Sequence, residues 1–146
     1  ALAGITEYFD DLHKHHFGQS DLGLHERARQ TFELVGDHEA KLANILLDYL
    51  KDREDIRILG QDHATPGGRA STIAFHARAM PSKHIAEQLA DSKIGVGAGD
   101  FYALRCVEAL GMDPADGVVR VSMVHYNSVE EVTKLVETID SILPGN

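Results

Sequence analysis

The sequence predicts an α+β domain in which two N-terminal helices precede a small sheet of about four strands that is covered by helices. The first 51 residues carry apolar side chains mainly at helical spacing, whereas the later residues alternate between strand-like and helix-like runs. The strand-like runs are four to seven residues long, and a chain of 146 residues fits one domain. These features predict two leading helices followed by a small sheet that is covered by helices.

Two helices are predicted at the start of the chain. Residues 1–17 place Ile5 and Leu12 on one helical side, and a break follows as far as Gly23. A longer helix is predicted over residues 24–51, because its apolar residues also recur at helical spacing. We expect these helices to pack partly against a region outside this sequence.

The rest of the chain alternates between strands and helices. Strands are predicted at residues 56–59, 71–76, 93–96 and 118–124. Helices are predicted to start at Pro81, to run from Phe101 to Leu110, and to run from Val129 to Leu143. Ser128 and Glu131 have the spacing of a capping box, which predicts where the last helix begins.

Composition limits the classes of function. A net charge of -9 with scattered basic residues argues against nucleic-acid binding. No apolar run approaches the roughly 20 residues of a membrane-spanning helix. One cysteine and no signal-peptide pattern predict a cytoplasmic protein. The first residue is Ala1 rather than methionine, so we expect a piece of a longer chain, although processing leaves the same trace.

The segment from Gly117 to Val132 carries the clearest chemical signal. In the strand beginning at Val118, side-chain alternation places Arg120 on the face opposite Val119 and Val121. An unpaired charge in so apolar a strand is unfavourable, and one reason for an arginine there is a carboxylate that the guanidinium binds through two parallel hydrogen bonds. An arginine that faces water from an edge strand, or that pairs with a nearby Asp or Glu, is the structural alternative.

The run Val-Arg-Val-Ser-Met-Val-His-Tyr-Asn-Ser-Val-Glu-Glu-Val resembles the closing motif of class V aminotransferases and cysteine desulfurases. The resemblance implies the C-terminal small domain of such an enzyme, with a helical segment 1–55 that links from a large domain and an α+β domain 56–146. It matches Arg120 to the family's substrate-carboxylate arginine. Asn127, Ser128 and Glu131 match the family's structural turn and helix cap.

The resemblance also identifies a loop that faces the active site in the family, at residues 95–102. Asp100 and Tyr102 are therefore candidate substrate contacts. Cysteine desulfurases carry a nucleophilic cysteine on this loop, but residues 95–100 contain none. The single thiol, Cys106, is expected to be buried and inert, because it follows apolar neighbours on the predicted helix. The sequence therefore leaves the reaction unassigned.

Enzymes of the resembled family hold pyridoxal phosphate on a lysine of the large domain, and they are typically homodimers. The six lysines of this sequence lie in settings that do not resemble the cofactor lysine. The resemblance therefore implies that the parent enzyme binds pyridoxal phosphate and an amino-acid substrate. We expect this chain alone to bind no cofactor and to be inactive.

The sequence also allows a metal site and a function without catalysis. His13, His15 and His16 cluster near a helix end, but too few ligands accompany them for a structural zinc site, so an exposed helix end is expected and no metal is predicted. A free-standing acidic module for protein interaction is the alternative function, because it would explain an incomplete active site.

Overall fold

The computed structural model describes residues 2–143 and confirms the α+β class. Within this range the chain forms a four-stranded sheet and five helices. In chain order the elements are α1 (Leu2–Phe17), α2 (Leu24–Lys51), β1 (Ile56–Leu59), β2 (Thr72–Ala77), α3 (Ser82–Asp91), β3 (Gly97–Gly99), α4 (Leu104–Ala109), β4 (Val118–Ser122) and α5 (Val129–Ile142). None of these helices is long and apolar enough to cross a membrane.

The sheet is antiparallel throughout, with the strand order β1-β2-β4-β3. β4 is thus a central strand, and β3 is an edge strand. In the register of the sheet, Arg120 of β4 lies between Ala74 of β2 and Gly97 of β3. The register therefore places the arginine beside the glycine-rich edge.

One face of the sheet forms the main hydrophobic core. Ile73 and Phe75 of β2 and Val119 and Val121 of β4 alternate onto this face and are buried. Helices α2, α3 and α5 supply the other side of the core, which includes Leu42, Leu46, Leu50, Ile85, Leu89, Val132, Leu135 and Ile139. The alternation sends the remaining side chains of β2 and β4 to the opposite face, which we call the open face. It holds Thr72, Ala74, His76, Val118, Arg120 and Ser122, of which Val118 is buried.

The leading helices contact each other through polar and aromatic pairs. Arg27 donates two hydrogen bonds to Asp10, and the rings of Phe9 and Phe32 lie 4.8 Å apart. His13 is 1% exposed and its Nε2 lies 2.9 Å from Oε1 of Gln30. The expectation of an exposed histidine cluster is therefore wrong for His13, because α2 covers this side of α1. No group of three potential metal ligands occurs within residues 2–143.

A largely buried ion pair connects the end of α2 to β1 and α5. The guanidinium of Arg53, which is 6% exposed, donates two hydrogen bonds of 2.9 Å to the carboxylate of Asp55 and lies 3.5 Å from Asp140. The hydrogen bond from Arg53 lowers the pKa of Asp55 below its usual range. Burial raises the pKa of neighbouring Tyr49 to about 12.

The predicted strand at residues 93–96 is wrong, because the strand lies at Gly97–Gly99. Lys93 has a left-handed φ of 61°, and the amide of Ile94 donates to the carbonyl of Leu89. These residues therefore close α3 and are not available to the sheet. The chain reaches the edge of β4 only at the glycines.

Two helix starts also differ from the prediction. Pro81 is the N-cap residue of α3 rather than its first helical residue. The helix predicted from Phe101 begins at Leu104, because Phe101 and Tyr102 have φ values of 52° and 60°, which a right-handed helix excludes. Both residues form a turn that ends the edge strand.

Gly117 allows β3 to approach β4, and its replacement by alanine is expected to destabilise the fold. A Cβ atom at Gly117 would lie 2.2 Å from the carbonyl carbon of Gly99, and the φ of Gly117 is +66°. We expect Gly117→Ala to lower the free energy of unfolding, measured in urea, by about 2–4 kcal/mol, because backbone strain and displacement of β3 add together.

The matched control is Gly111→Ala. Gly111 also has a left-handed φ, +74°, but no atom lies within 4 Å of the added Cβ. Gly111→Ala should lower the free energy of unfolding by only about 1–2 kcal/mol. Equal losses for the two variants would contradict the close-approach explanation.

The Arg53–Asp55 ion pair should make the free energy of unfolding depend on pH. Because the folded pKa of Asp55 is lowered, the pair stabilises the fold above the unfolded pKa and loses this effect as the pH falls through the folded pKa. Asp55→Asn should therefore reduce the free energy of unfolding at pH 7 and change it little at pH 2. Asp48→Asn, which removes the exposed pairing with Lys51, is the control and should have a smaller effect at pH 7.

Candidate functional site

The candidate site lies where the central strand β4 meets the edge strand β3 on the open face. Arg120 is exposed on this face, whereas Val119 and Val121 on either side of it are buried. The strand therefore holds the guanidinium away from the core, as the alternation predicts. Its cross-strand neighbours, Ala74 and Gly97, are both small residues.

Arg120 has an aromatic partner rather than an acidic one. Its guanidinium carbon lies 3.8 Å from the centroid of the Phe101 ring, which is cation–π geometry. Within residues 2–143 it makes no ion pair and donates no hydrogen bond. The alternative in which Arg120 pairs with a nearby Asp or Glu is therefore wrong for this part of the chain.

The arginines of the chain differ in whether they donate hydrogen bonds to other residues. Six of the eight donate hydrogen bonds to carboxylate or backbone oxygens of residues 2–143; these are Arg27, Arg29, Arg53, Arg57, Arg69 and Arg78. Arg105 and Arg120 do not. Arg105 is exposed on the short helix α4, whereas Arg120 projects from a central strand and lies on a ring. Arg120 thus lies on a central strand and donates no hydrogen bond to any group of the described residues.

The turn after β3 brings the other two predicted contacts, Asp100 and Tyr102, into the same loop as Phe101. The Asp100 carboxylate accepts a hydrogen bond of 3.2 Å from the amide of Tyr102, and the Asp100 carbonyl accepts one of 2.8 Å from the amide of Ala103. Asp100 therefore stabilises the turn. The Tyr102 side chain is fully exposed and is free to contact a ligand or another part of the protein.

The motif that follows Arg120 forms a hydrogen-bonded turn. The Asn127 side-chain oxygen accepts from the amide of Val124, and Ser128 and Glu131 form a reciprocal capping box at the start of α5. The Ser128 amide and the Asn127 side chain lower the pKa of Glu131. His38 of α2 donates to the Asn127 carbonyl over 2.8 Å. These hydrogen bonds stabilise the conformation of the turn that connects β4 to α5.

α1 also contacts this turn. The Tyr8 hydroxyl lies 2.6 Å from Nε2 of His125, and the rings of Tyr8 and Phe9 lie beside the His125 ring. His125, which looks isolated in the sequence, therefore joins the first helix to the segment after Arg120. Only the tertiary contact identifies it.

The prediction of a buried Cys106 is wrong, because Cys106 is exposed. The prediction assumed a ten-residue helix with a complete apolar face, but α4 has six residues, and Val107 is its buried residue. Leu104 and Leu110 beside it are also exposed. The short helix therefore turns only one side chain inward.

The lysines do not fit a Schiff-base residue for pyridoxal phosphate. All six are exposed, whereas a lysine that attacks a carbonyl at neutral pH needs a lowered pKa from burial or from nearby cations. For Lys51 the opposite holds, since its hydrogen bond with Asp48 raises the pKa. The exposed lysines of the described residues therefore do not fit the role of the cofactor lysine.

Phe101 was missed by sequence reasoning. The pattern assigned it to a helix. The sequence signal that could have found it is a glycine of an edge strand followed at short range by an aromatic residue, here Gly97 and Phe101, because an aromatic ring can cover such a glycine. That signal becomes specific only when the register pairs Gly97 with Arg120.

Comparisons with known proteins agree with this architecture. The Aminotransferase class-V family model matches residues 22–135. The chain is 34% identical over 119 residues to the aminotransferase-like protein FGM3 of Gibberella zeae, covering 81% of this chain and 30% of that protein. It is 32% identical over 108 residues to the cysteine desulfurase-like protein ustD of Aspergillus flavus, covering 72% of this chain and 25% of that protein.

Solved structures of cysteine desulfurases share the fold. The enzyme from Thermococcus onnurineus superposes with a TM-score of 0.67 at 24% identity, covering 82% of this chain and 28% of that chain. The enzyme CsdA from Escherichia coli superposes with a TM-score of 0.62 at 23% identity, covering 85% of this chain and 28% of that chain. At these identities the likeness concerns the fold alone. The chain spans less than a third of these relatives, and it belongs to the class-V aminotransferase family.

Proposed function

We propose that this chain is the C-terminal, substrate-binding part of a pyridoxal-phosphate enzyme that acts on an amino acid, and that Arg120 binds the substrate carboxylate. The observation that carries the proposal is an exposed guanidinium that projects from a central strand and has no acidic partner within residues 2–143. A planar guanidinium with free donors matches a carboxylate through two parallel hydrogen bonds.

Asp100 and Tyr102 extend the proposed site. Both residues are direct neighbours of Phe101 in the turn after β3, and the ring of Phe101 contacts Arg120. Tyr102 presents a fully exposed phenol, which can donate or accept a hydrogen bond. We assign them to secondary contacts with the substrate, because the Asp100 carboxylate is already used within the turn.

The remainder of the parent protein would supply the cofactor lysine. Pyridoxal phosphate serves as an electron sink for the bonds around the substrate's α-carbon when it is bound. In this proposal, residues 1–55 link this chain to the part of the parent protein that holds the cofactor, and the parent enzyme is a homodimer. The exposed lysines of this chain support this proposal, since none of them fits the role of the lysine that holds pyridoxal phosphate.

Exposed apolar side chains on the leading helices also support a larger parent. Ile5 is 57% exposed, Leu24 53% and Phe32 55%. Together with Phe9 and Ala28 they line a cleft of about 290 Å³ between α1 and α2. Apolar groups of this size are usually covered by protein. The family match over residues 22–135 does not favour the alternative of a free-standing interaction module.

The carboxylate role predicts a selective loss in the full-length, cofactor-loaded protein. L-alanine and L-cysteine are titrated against their decarboxylated forms, ethylamine and cysteamine, and the change in cofactor absorbance gives each half-saturating concentration. Arg120→Gln should raise the values for the amino acids by about ten- to a hundredfold, because a charge-assisted hydrogen-bond pair is lost. The values for the amines should stay nearly constant.

Two further variants sharpen this test. Arg120→Lys should recover only part of the amino-acid binding, because an ammonium cannot form the parallel pair. Arg105→Gln removes the other arginine that donates no hydrogen bond within residues 2–143, and it should leave the half-saturating concentrations unchanged. The proposal is wrong if the full-length protein takes up no cofactor, if no amino acid changes its absorbance, or if Arg120→Gln weakens amines and amino acids equally.

A further inference from the structure

We infer that Phe101 is a positioning residue for Arg120: its ring, lying over Gly97, holds the guanidinium in the orientation that receives a carboxylate. This inference rests on the proposed function and extends it to a residue that sequence patterns assign to a helix. It starts from three neighbouring features, namely the glycine of the edge strand, the ring above it and the arginine paired with that glycine.

Gly97 makes room for the ring. A Cβ atom on Gly97 would lie 2.8 Å from both Cε1 and Cζ of Phe101, so any other residue would displace the ring. Gly97 is the cross-strand partner of Arg120, and cross-strand partners direct their side chains to the same face. The ring therefore occupies the position that the partner's side chain would normally fill beside Arg120.

The turn that delivers the ring is strained. Phe101 and Tyr102 are consecutive residues in the left-handed region, with φ values of 52° and 60°, where non-glycine residues are uncommon. The hydrogen bonds that Asp100 accepts from Tyr102 and Ala103 hold this conformation. Strained backbone of this kind persists where the surrounding structure enforces it, and it clusters at functional sites.

The stacking geometry suits carboxylate binding. The guanidinium carbon of Arg120 lies 3.8 Å from the centroid of the Phe101 ring, and no group of residues 2–143 accepts a hydrogen bond from the guanidinium. A carboxylate approaches a guanidinium in its own plane, along its edge. An exposed arginine otherwise samples many rotamers, and restricting them before the ligand arrives raises affinity. Phe101 thus orients Arg120 without touching the ligand.

The test varies the charge on the face of the ring while it preserves the ring's shape. Phenylalanine at position 101 of the full-length, cofactor-loaded protein is replaced by its 4-fluoro and 3,4,5-trifluoro forms, and L-alanine and ethylamine are titrated as above. Fluorine withdraws electron density from the ring, so the half-saturating concentration of L-alanine should rise stepwise while that of ethylamine stays constant. Phe101→Leu should raise the L-alanine value about three- to tenfold, and Phe101→Tyr or Phe101→Trp should keep it within about twofold.

A double-mutant cycle with Arg120→Gln separates the two proposals. If Phe101 acts through Arg120, Phe101→Leu should have no further effect on L-alanine binding in the Arg120→Gln protein.

If Phe101 has only a packing role, Phe101→Leu should weaken the binding of L-alanine and of ethylamine equally, and fluorination should change neither. Either result overturns the inference. A selective effect of Arg120→Gln without any effect at position 101 overturns the role of Phe101 alone. No effect of Arg120→Gln overturns both proposals. If Phe101→Leu does not fold, the fluorinated forms decide the question.

Discussion

The burial of one face of β4 is the constraint on which the site depends. Val119 and Val121 are held in the core by β2 and by helices α2, α3 and α5, and each such side chain contributes roughly 1.5–3 kcal/mol when fully buried. A shift of one residue in the register would bring Arg120 into that core, where an unpaired cation is very unfavourable. The apolar core therefore determines the position of a polar group that it does not contact.

The elements around β4 then define the surroundings of Arg120. Gly117 allows β3 to come within contact distance, and the turn after β3 brings Phe101 back over the sheet. On the other side, the turn through Asn127 and the capping box at Ser128 lead directly into α5. The strand is thus bounded by a close glycine contact at its start and by a hydrogen-bonded turn at its end. Such a frame suits a side chain that must meet a ligand in one orientation.

The chain belongs to the class-V aminotransferase family, although its lysines do not fit the role of a cofactor lysine, and its length explains how both can hold. The relatives are about three to four times longer than the segment they share with this chain, since that segment is 30% of one and 25% of another. The described residues offer a cation without an acidic partner and exposed apolar helices, but their lysines do not fit a cofactor anchor. These features are compatible with a chain that spans less than a third of its relatives' length. The exposed Cys106 lies on α4, beyond the turn that carries Phe101 and Tyr102.

The amino-acid sequence by itself determined the local features. Apolar periodicity predicted α1 and α2, alternation placed Arg120 opposite Val119, and the spacing of Ser128 and Glu131 predicted the start of α5, because each of these signals lies within one element. Only the tertiary structure decided that β3 lies at the glycines, that Cys106 is exposed and that His13 is buried. It also paired Gly97 with Arg120 and placed Phe101 between them. These outcomes depend on which distant segments meet, and periodicity within one segment carries no information about that.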